Sequence, residues 1–323
     1  MKKDVLEKEV RDNEYFINYS SKIIKFQSLR NLIKMITEIN RAEKVILHGL
    51  NESLTVLLLL FMPWNLKKCY WFSWGADIYK YQQDDLSLKL RILYILKRIV
   101  VNQLGYIVVT IEGEYKNIKK WFGARGKWIS SFKYPSNLYK DQPVNYQSVD
   151  DGVTRILLGN SASPSNNHME VLERIKQTIP KHAEYIIYCP LSYGDASNAK
   201  KVCDKGHYYF GDRFKPLIDF MPLDDYLNLL FKIDIAIFNH NRQQGMGNII
   251  TLLGMGKKVF IREDVTPWEF FNGLDINIFS INDLEFKPLD EVSKEQNLKV
   301  IRSYFSVERL KNELNKIFHS PNL

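Results

Sequence analysis

Between Ile233 and Ile261 the chain reads IDIAIFNHNRQQGMGNIITLLGMGKKVFI: an apolar strand, a polar loop, a glycine-flanked helix and a second strand. So short a strand–helix–strand span implies a crossover between parallel neighbours, and parallel strands are buried on both faces. The same alternation runs through both halves of the chain. In the first half strands are expected at Lys44–His48, Cys69–Phe72, Tyr106–Ile111 and Trp128–Phe132, with helices near 28–40, 52–62, 84–103 and 114–122. In the second half strands are expected at Arg155–Gly159, Tyr185–Cys189, Leu217–Phe220, Ile233–Phe238, Lys258–Ile261 and Asn277–Phe279. Helices there fall at 166–178, 195–213, 223–231, 247–255, 290–302 and 306–318.

The stretch 133–152 is polar, holds two prolines and has no clear period, as an interdomain linker would. The expected organisation is a first α/β domain over 1–140, a linker at 141–152 and a second α/β domain over 153–305. A closing helix at 306–323 has the reach to cross back to the first domain. Two such domains would face one another across a cleft, with ligands at the carboxyl ends of the strands.

Composition narrows the class. With 45% apolar and 25% charged residues the chain is expected to fold as a globular protein. Its longest apolar stretch, Leu54–Trp64, falls short of the roughly 20 residues a membrane helix needs. The opening MKKDVLEKEVRDNEYF has no apolar signal core. Cys69, Cys189 and Cys203 lack metal-ligand spacing and are expected to be reduced thiols. No metal site is expected: there is no Asp-x-Asp, no His-Glu-x-x-His and no clustered Cys/His.

Charge is unevenly distributed. The net charge is +8, yet residues 67–140 alone hold 14 basic and 5 acidic side chains. Such a concentration points to an anionic partner: nucleic acid, an anionic membrane surface or a phosphorylated substrate. No nucleic-acid-binding module is recognisable. The helical run 84–104 sets Leu86, Ile92, Leu93, Ile95, Leu96, Ile99 and Val100 on one arc. Arg91 and Arg98 lie opposite, with Lys97 on a flank. Core packing explains the arc; an interfacial helix on anionic lipid is the alternative.

Several loops can carry chemistry. The Arg242-Gln243-Gln244-Gly245-Met246-Gly247-Asn248 run opens a helix, and its glycines let an anion approach the free amides while Arg242 adds a fork of donors. It is neither a dinucleotide fingerprint nor a Walker loop. Gly159, Asn160, Ser161, Ser163, Ser165 and Asn166 crowd another strand-to-helix turn, where small polar side chains can cap the helix and its free amides can hold an anion. In the first half His48 and Asn51 follow one strand, and Trp74 and Asp77 follow the next. Trp74 can stack on a sugar, and Asp77 can act as a base. Glu112 and Glu114 follow a third strand, where a helix N-terminus explains them equally well.

These pieces resemble glycosyltransferase family 56. WGADIY (74–79), LLGNSASPSNNHMEVL (157–172), PLSYGDASN (190–198), FMPLDDYLNLL (220–230), RQQGMGN (242–248) and RED…PW (262–268) occur in order over residues 45–275. The resemblance implies a metal-independent GT-B architecture: two Rossmann-like parallel-sheet domains facing a cleft, with no cofactor beyond the substrates. It implies transfer of a Fuc4NAc-like sugar from a TDP-type nucleotide-sugar donor to an undecaprenyl-diphosphate-linked saccharide, in enterobacterial common antigen or O-antigen synthesis. The enzyme would sit peripherally on the cytoplasmic face of the bacterial inner membrane.

On that resemblance Arg242, Gln243, Gln244, Gly245, Gly247 and Asn248 would hold the donor diphosphate. Gly159, Asn160, Ser161, Tyr193 and Glu263 would line the nucleotide and sugar, and Trp74 and Asn51 would meet the acceptor. Arg91, Lys97 and Arg98 would face lipid or the lipid diphosphate. If the reaction inverts, the base is Asp77, then His48, then Glu112; if it retains, none is needed. Many GT-B enzymes place a ribose-binding glutamate about five residues past the glycine pair. Here Ile249–Leu253 carry no carboxylate, which is compatible with a deoxyribose. Two other readings stand beside this one, a GT-B-shaped nucleotide-sugar epimerase and a nucleic-acid-binding protein.

Overall fold

A computed structural model describes residues 29–82, 86–132, 137–140 and 151–319. The chain divides into two compact units, residues 1–135 with 307–323, and residues 136–306.

In the first unit α1 (Leu29–Arg41) leads to β1 (Val45–His48). Next come α2 (Ser53–Leu60), a 3-10 turn (Pro63–Lys68) and β2 (Cys69–Phe72). They are followed by α3 (Ala76–Tyr79), α4 (Leu88–Gln103), β3 (Tyr106–Val108), α5 (Glu112–Phe122) and β4 (Lys127–Ile129). The strands pair in parallel in the order β1-β2-β3-β4. Right-handed crossovers that always step the same way stack their helices on one face. Val56 and Leu59 of α2, Leu93 and Val100 of α4, and Ile118 and Phe122 of α5 accordingly share one core with Leu47, Trp71 and Ile107. All four residues of β2 are buried, as a central parallel strand requires.

The second unit runs β5 (Thr154–Leu158), α6 (His168–Thr178), β6 (Tyr185–Pro190), α7 (Ala196–Phe210) and β7 (Phe214–Leu217). It continues α8 (Leu223–Lys232), β8 (Ile235–Phe238), α9 (Met246–Gly254), β9 (Lys258–Ile261), α10 (Thr266–Asn272), β10 (Phe279–Ser280) and α11 (Glu291–Tyr304). Its six strands are parallel in the order β10-β9-β8-β5-β6-β7. After β7 the chain returns to the far side of β5 and builds outward the other way. The sheet therefore has a topological switch point between β5 and β8.

The last helix, α12 (Val307–His319), belongs to the first unit. Its Ile317 packs with Tyr70, Phe72, Tyr106 and Val108 on the face opposite α4. The Lys44 ammonium donates to the carbonyls of Ile317 (2.7 Å) and Phe318 (3.1 Å), which the helix end leaves without intrahelical partners.

Three expectations need correction. The first domain was drawn to residue 140, but Tyr139 is tied to the second unit. Its hydroxyl donates to Gly254 O at 2.8 Å and its N–H to Phe305 O at 3.0 Å. The expected strand Leu217–Phe220 lies three residues earlier, because the buried Phe214 pairs with Ile187 and packs beneath Gly206 of α7. Ile218 and Phe220 are exposed beyond it, and the helix expected over 195–213 ends at Phe210. Two short helices, α3 and α10, were not anticipated. The expected linker falls, apart from residues 151 and 152, outside the described residues.

A Cβ on Gly206 would stand 2.4–2.5 Å from three atoms of the Phe214 ring. Alanine is favoured over glycine in a helix by about 1 kcal/mol, but overpacking a core costs about 1–3 kcal/mol. With the ring held in the sheet, the clash is expected to win. Gly206→Ala should lower unfolding free energy by ~1–2 kcal/mol in a urea titration; a gain in stability would mean that the ring yields.

Candidate active site

Leu158 at the end of β5 lies beside Ile237 of β8. The two chains leave this point in opposite directions, and ligands of open α/β sheets bind in the crevice so formed. Both loops turn on glycines that cannot carry a side chain. Gly159 has φ +70°, and a Cβ there would stand 2.8 Å from Asn166 Oδ1 and His168 Nε2. Gly245 has φ +65°, and its Cβ would stand 2.8 Å from His240 Cε1.

Side chains join the loops. Asn166 Oδ1 accepts from the Asn160 N–H at 3.0 Å and lies 2.9 Å from His240 Nε2. The Asn166 amide nitrogen donates to Ser161 Oγ (3.2 Å) and Ser163 O (3.1 Å), which assigns its oxygen as acceptor and His240 Nε2 as the protonated nitrogen. Gln244 donates to Asn160 Oδ1 (3.1 Å) and Ser161 Oγ (3.3 Å) and accepts from Ser165 Oγ (2.6 Å). Asn160 donates onward to the Tyr193 hydroxyl at 2.8 Å. The structure thus brings Gly159, Asn160, Ser161, Tyr193, Gln244 and Gly245 into one cluster.

The cluster has a defined electrostatic character. No side chain caps the first turn of α9, where Gly247 and Asn248 lie, so that turn presents the positive end of the helix dipole. Arg242, half-buried beside it, donates to Gln243 O at 3.3 Å. Asn248 donates to the Tyr226 hydroxyl of α8 at 3.0 Å. Burial pushes the His240 pKa down to about 3, and the Arg242 charge adds to the effect. His168, buried beside Gly159, is pushed down to about 4 by burial, and neither of its ring nitrogens has a hydrogen-bond partner. Both histidines are neutral near pH 7, which leaves Arg242 as the cation of these two loops. Glu263 is exposed after β9, next to an Arg262–Asp264 fork with contacts of 2.6 and 2.7 Å.

Asn166 and His240 stand in the loops expected to carry chemistry but had no role assigned, and His168 was not expected at the site. The available signal was polar side chains packed into the Asn166-Asn167-His168 and Asn239-His240-Asn241 runs, each following a buried strand.

The first unit corrects two expectations. Asp77 is fully buried. Its Oδ2 accepts from the Leu50 N–H (3.1 Å) and Trp71 Nε1–H (2.9 Å); its Oδ1 accepts from Ser73 Oγ–H and the Trp74 N–H, both at 2.9 Å. Four donors fill the carboxylate, so Asp77 ties loops together and is not a free base. Lys97 is also fully buried and cannot face lipid. It donates to Leu50 O (2.8 Å) and Asp77 O, with Trp71, Tyr81 and Phe122 ring centroids 5.0–5.4 Å away. Burial lowers its pKa to about 7, against the opposing pull of Asp77.

The error lay in the face of α4. Leu93, Lys97, Val100 and Val101 are its buried residues. Leu88, Ile92, Ile95 and Ile99 are 75, 51, 58 and 43% exposed and form an outward stripe. Arg91 and Arg98 are exposed on the same helix.

The other first-unit candidates are accessible. His48 is exposed, stacks on Phe72 at 5.3 Å, and is held below the ordinary histidine pKa by desolvation. Trp74 is 45% exposed, its indole lying over Gly49, whose Cβ would be 3.5 Å away. Asn51 is exposed, and its carbonyl accepts from Lys80 at 3.4 Å. Glu112 opens α5 and pairs with Lys116 at 3.2 Å.

Residues 10–307 match the family model described as 4-alpha-L-fucosyltransferase, glycosyl transferase group 56. Solved structures with a similar fold include HepE of Anabaena, crystallised with UDP and glucose. It has a TM-score of 0.62 and 13% identity, over 89% of this chain and 80% of that one. A glycosyltransferase of Rickettsia africae matches with a TM-score of 0.62 and 14% identity, over 99% and 89%. Sucrose-phosphate synthase of Thermosynechococcus elongatus matches with a TM-score of 0.62 and 12% identity, over 93% and 81%. The shared fold is GT-B.

Two outcomes follow from this geometry. Asp77→Asn turns an amide N–H₂ toward groups that themselves donate, and is expected to cost about 2–4 kcal/mol of stability in a urea titration. A variant as stable as wild type but slow in catalysis would reinstate the base. For His168 and His240 the folded pKa lies below the unfolded value. The unfolded chain therefore binds more protons between pH ~4 and ~6.5, and stability falls as pH drops through that window, by about 1.4 kcal/mol per unit per histidine. His168→Leu, which removes no hydrogen bond, should flatten the slope by about that amount; an unchanged slope would mean that His168 is protonated in the native state.

Proposed function

The chain belongs to glycosyl transferase group 56, and from that membership and the paired loops at the β5–β8 switch point we propose that it moves a Fuc4NAc-like sugar from a TDP-type donor to an undecaprenyl-diphosphate-linked saccharide. The second unit holds the nucleotide-sugar and the first holds the acceptor. The observation that carries this reading is the uncapped start of α9 beside Arg242, with both loops clasped by Asn166, His240 and Gln244.

Breaking the anomeric C–O bond leaves negative charge on the departing diphosphate. Arg242 and the amides of Met246, Gly247 and Asn248 are oriented in advance to receive it, without a metal ion. Such donors act strongly because they need no reorganisation as the charge develops. His240 stays neutral, so it orients the loop through its Nε2–H without adding a charge. If the acceptor hydroxyl attacks with inversion, His48 takes its proton: it is exposed, and desolvation favours its neutral, proton-accepting form. Trp74 gives the acceptor sugar an apolar face to stack on. Glu263 is placed for the donor sugar or deoxyribose.

A lipid-linked acceptor needs a protein that meets the bilayer. No helix among the described residues is long and apolar enough to cross one. The exposed Leu88–Ile92–Ile95–Ile99 stripe of α4, with Arg91 and Arg98 beside it, suits an anionic surface, on the cytoplasmic face of the inner membrane.

Thermal unfolding with TDP, UDP and GDP tests the donor assignment, since a ligand bound only by the folded state raises its stability. TDP is expected to stabilise most. Arg242→Ala should lose that shift and slow transfer by about 10²–10³-fold. Wild-type turnover in this variant, or a nucleotide bound away from residues 242–248 in a crystal, would overturn the reading.

A further inference from the structure

The opposite edge of the first sheet carries a second feature. Before β2, β3 and β4 the 3-10 turn, the Leu104–Gly105 segment and the Arg125–Gly126 segment line an open pocket of about 420 Å³. Its wall includes Lys67, Lys68, Arg125, Lys127 and Trp64, and no carboxylate. This is the amino-terminal edge of the strands, whereas the loops of His48 and Trp74 leave their carboxyl ends.

The cations are brought together by the backbone. A Cβ on Gly105 would stand 1.9 Å from Lys67 O, and one on Gly126 would stand 2.6 Å from Leu104 O. The Gly105 N–H donates to Leu66 O at 2.9 Å, and the Lys127 N–H donates to Gly105 O at 2.8 Å. Two glycines therefore let three segments close on one another, and each segment brings basic side chains. Lys67, Arg125 and Lys127 are exposed. Among the described residues none of the four cations forms an ion pair; Lys68 donates only to Asn40 O, at 3.1 Å. The dipole at the carboxyl end of α4 attracts cations, but its field fades within a turn and does not account for four. Four like charges around one concavity raise one another's energy until an anion fills it.

The rim indicates which anion. Trp64 is 67% exposed, although its indole N–H is fixed on Asn40 Oδ1 at 2.8 Å. Phe61, just after α2, is 75% exposed. A free phosphate needs neither ring, whereas a headgroup does: aromatic side chains with one polar handle settle at the membrane interface. Leu104, in the pocket wall, immediately follows α4, whose outer stripe is apolar.

We infer that this pocket binds the phosphate of an anionic phospholipid headgroup, with Trp64 of its wall, and Phe61 three residues earlier in the chain, entering the interface. The inference rests on the membrane part of the reading above and is independent of the transfer chemistry.

The test is co-sedimentation of the full chain with vesicles of phosphatidylcholine alone and of phosphatidylcholine with phosphatidylglycerol. The triple variant Lys67→Gln, Arg125→Gln, Lys127→Gln alters only exposed side chains, and its thermal unfolding serves as the check on folding. Wild type should prefer the phosphatidylglycerol vesicles. The variant should lose about fivefold in affinity per cation removed, about a hundredfold in all. Equal affinity of wild type and variant overturns the pocket and leaves the membrane reading standing. No preference of wild type for anionic vesicles overturns both. If inorganic phosphate stabilises wild type but not the variant while their vesicle affinities are equal, the pocket takes free phosphate and the lipid assignment fails.

Discussion

One oxygen atom stands at the centre of the hydrogen bonds that join the two loops of the second unit's site. Asn166 Oδ1 accepts from the Asn160 N–H, within its own loop, and from His240 Nε2–H, across the switch point. The sheet sends the chain after β5 and after β8 in opposite directions, and the loops are also tied by the Asn241 N–H to Ser165 O (3.1 Å) and the Asn167 amide to Asn239 O (2.9 Å). Joined through Asn166 and seconded by Gln244, they keep the uncapped end of α9 and Arg242 in one orientation. Buried polar contacts of this kind favour a single arrangement only if every member is satisfied. Gly159 and Gly245 make it possible, since a side chain at either position would strike Asn166 and His168, or His240.

The first unit reaches the same end with charges. Leu50 gives its N–H to the Asp77 carboxylate and its carbonyl to Lys97. The Trp74 N–H is also held by Asp77. The buried Asp77 and Lys97 side chains thereby fix both the residue after Gly49 and the aromatic ring above it. Burying ionisable groups is costly, and the cost is offset here because four donors surround the Asp77 carboxyl while two carbonyls and three aromatic faces surround the Lys97 nitrogen. The exposed part of this surface, His48 and Trp74, is thus set from beneath by fully buried residues.

The sequence made the sheets and the glycine loops legible because they rest on short-range rules: apolar runs bounded by polar turns, and glycines where φ is positive. Of the ten expected strands only Cys69–Phe72 and Lys258–Ile261 keep both ends; the others shift, shorten or lengthen where pairing partners decide the boundary. The site was legible as a place and not as a mechanism. Arg242 through Asn248 could be found from spacing, but the clasp of Asn166 and His240 joins residues 74 positions apart. Asp77 looked like a base because a carboxylate after a strand is compatible with catalysis and with structural anchoring; only its four donors decide. The apolar arc of helix α4 is wider than the strip that the sheet covers, so the wheel could not show which part of it faced the core. A lysine turned out to occupy the buried arc, while a row of leucine and isoleucine faces out.

That burial pattern also bears on how a nucleotide would be read. Ile249, Ile250, Leu252 and Leu253 are all buried in the second unit, and in that run only Thr251 keeps partial exposure. A carboxylate at these positions would have to enter an apolar core unpaired, which would cost more than a contact to one hydroxyl returns. Any acidic contact to the sugar of the nucleoside must then come from another strand end. Glu263 meets that condition: it is exposed after β9, the neighbour of β8, and the fork of Arg262 on Asp264 leaves it the carboxylate of that turn not engaged by Arg262. A donor lacking one ribose hydroxyl asks least of such a site, so the packing of α9 is compatible with the proposed deoxyribonucleotide.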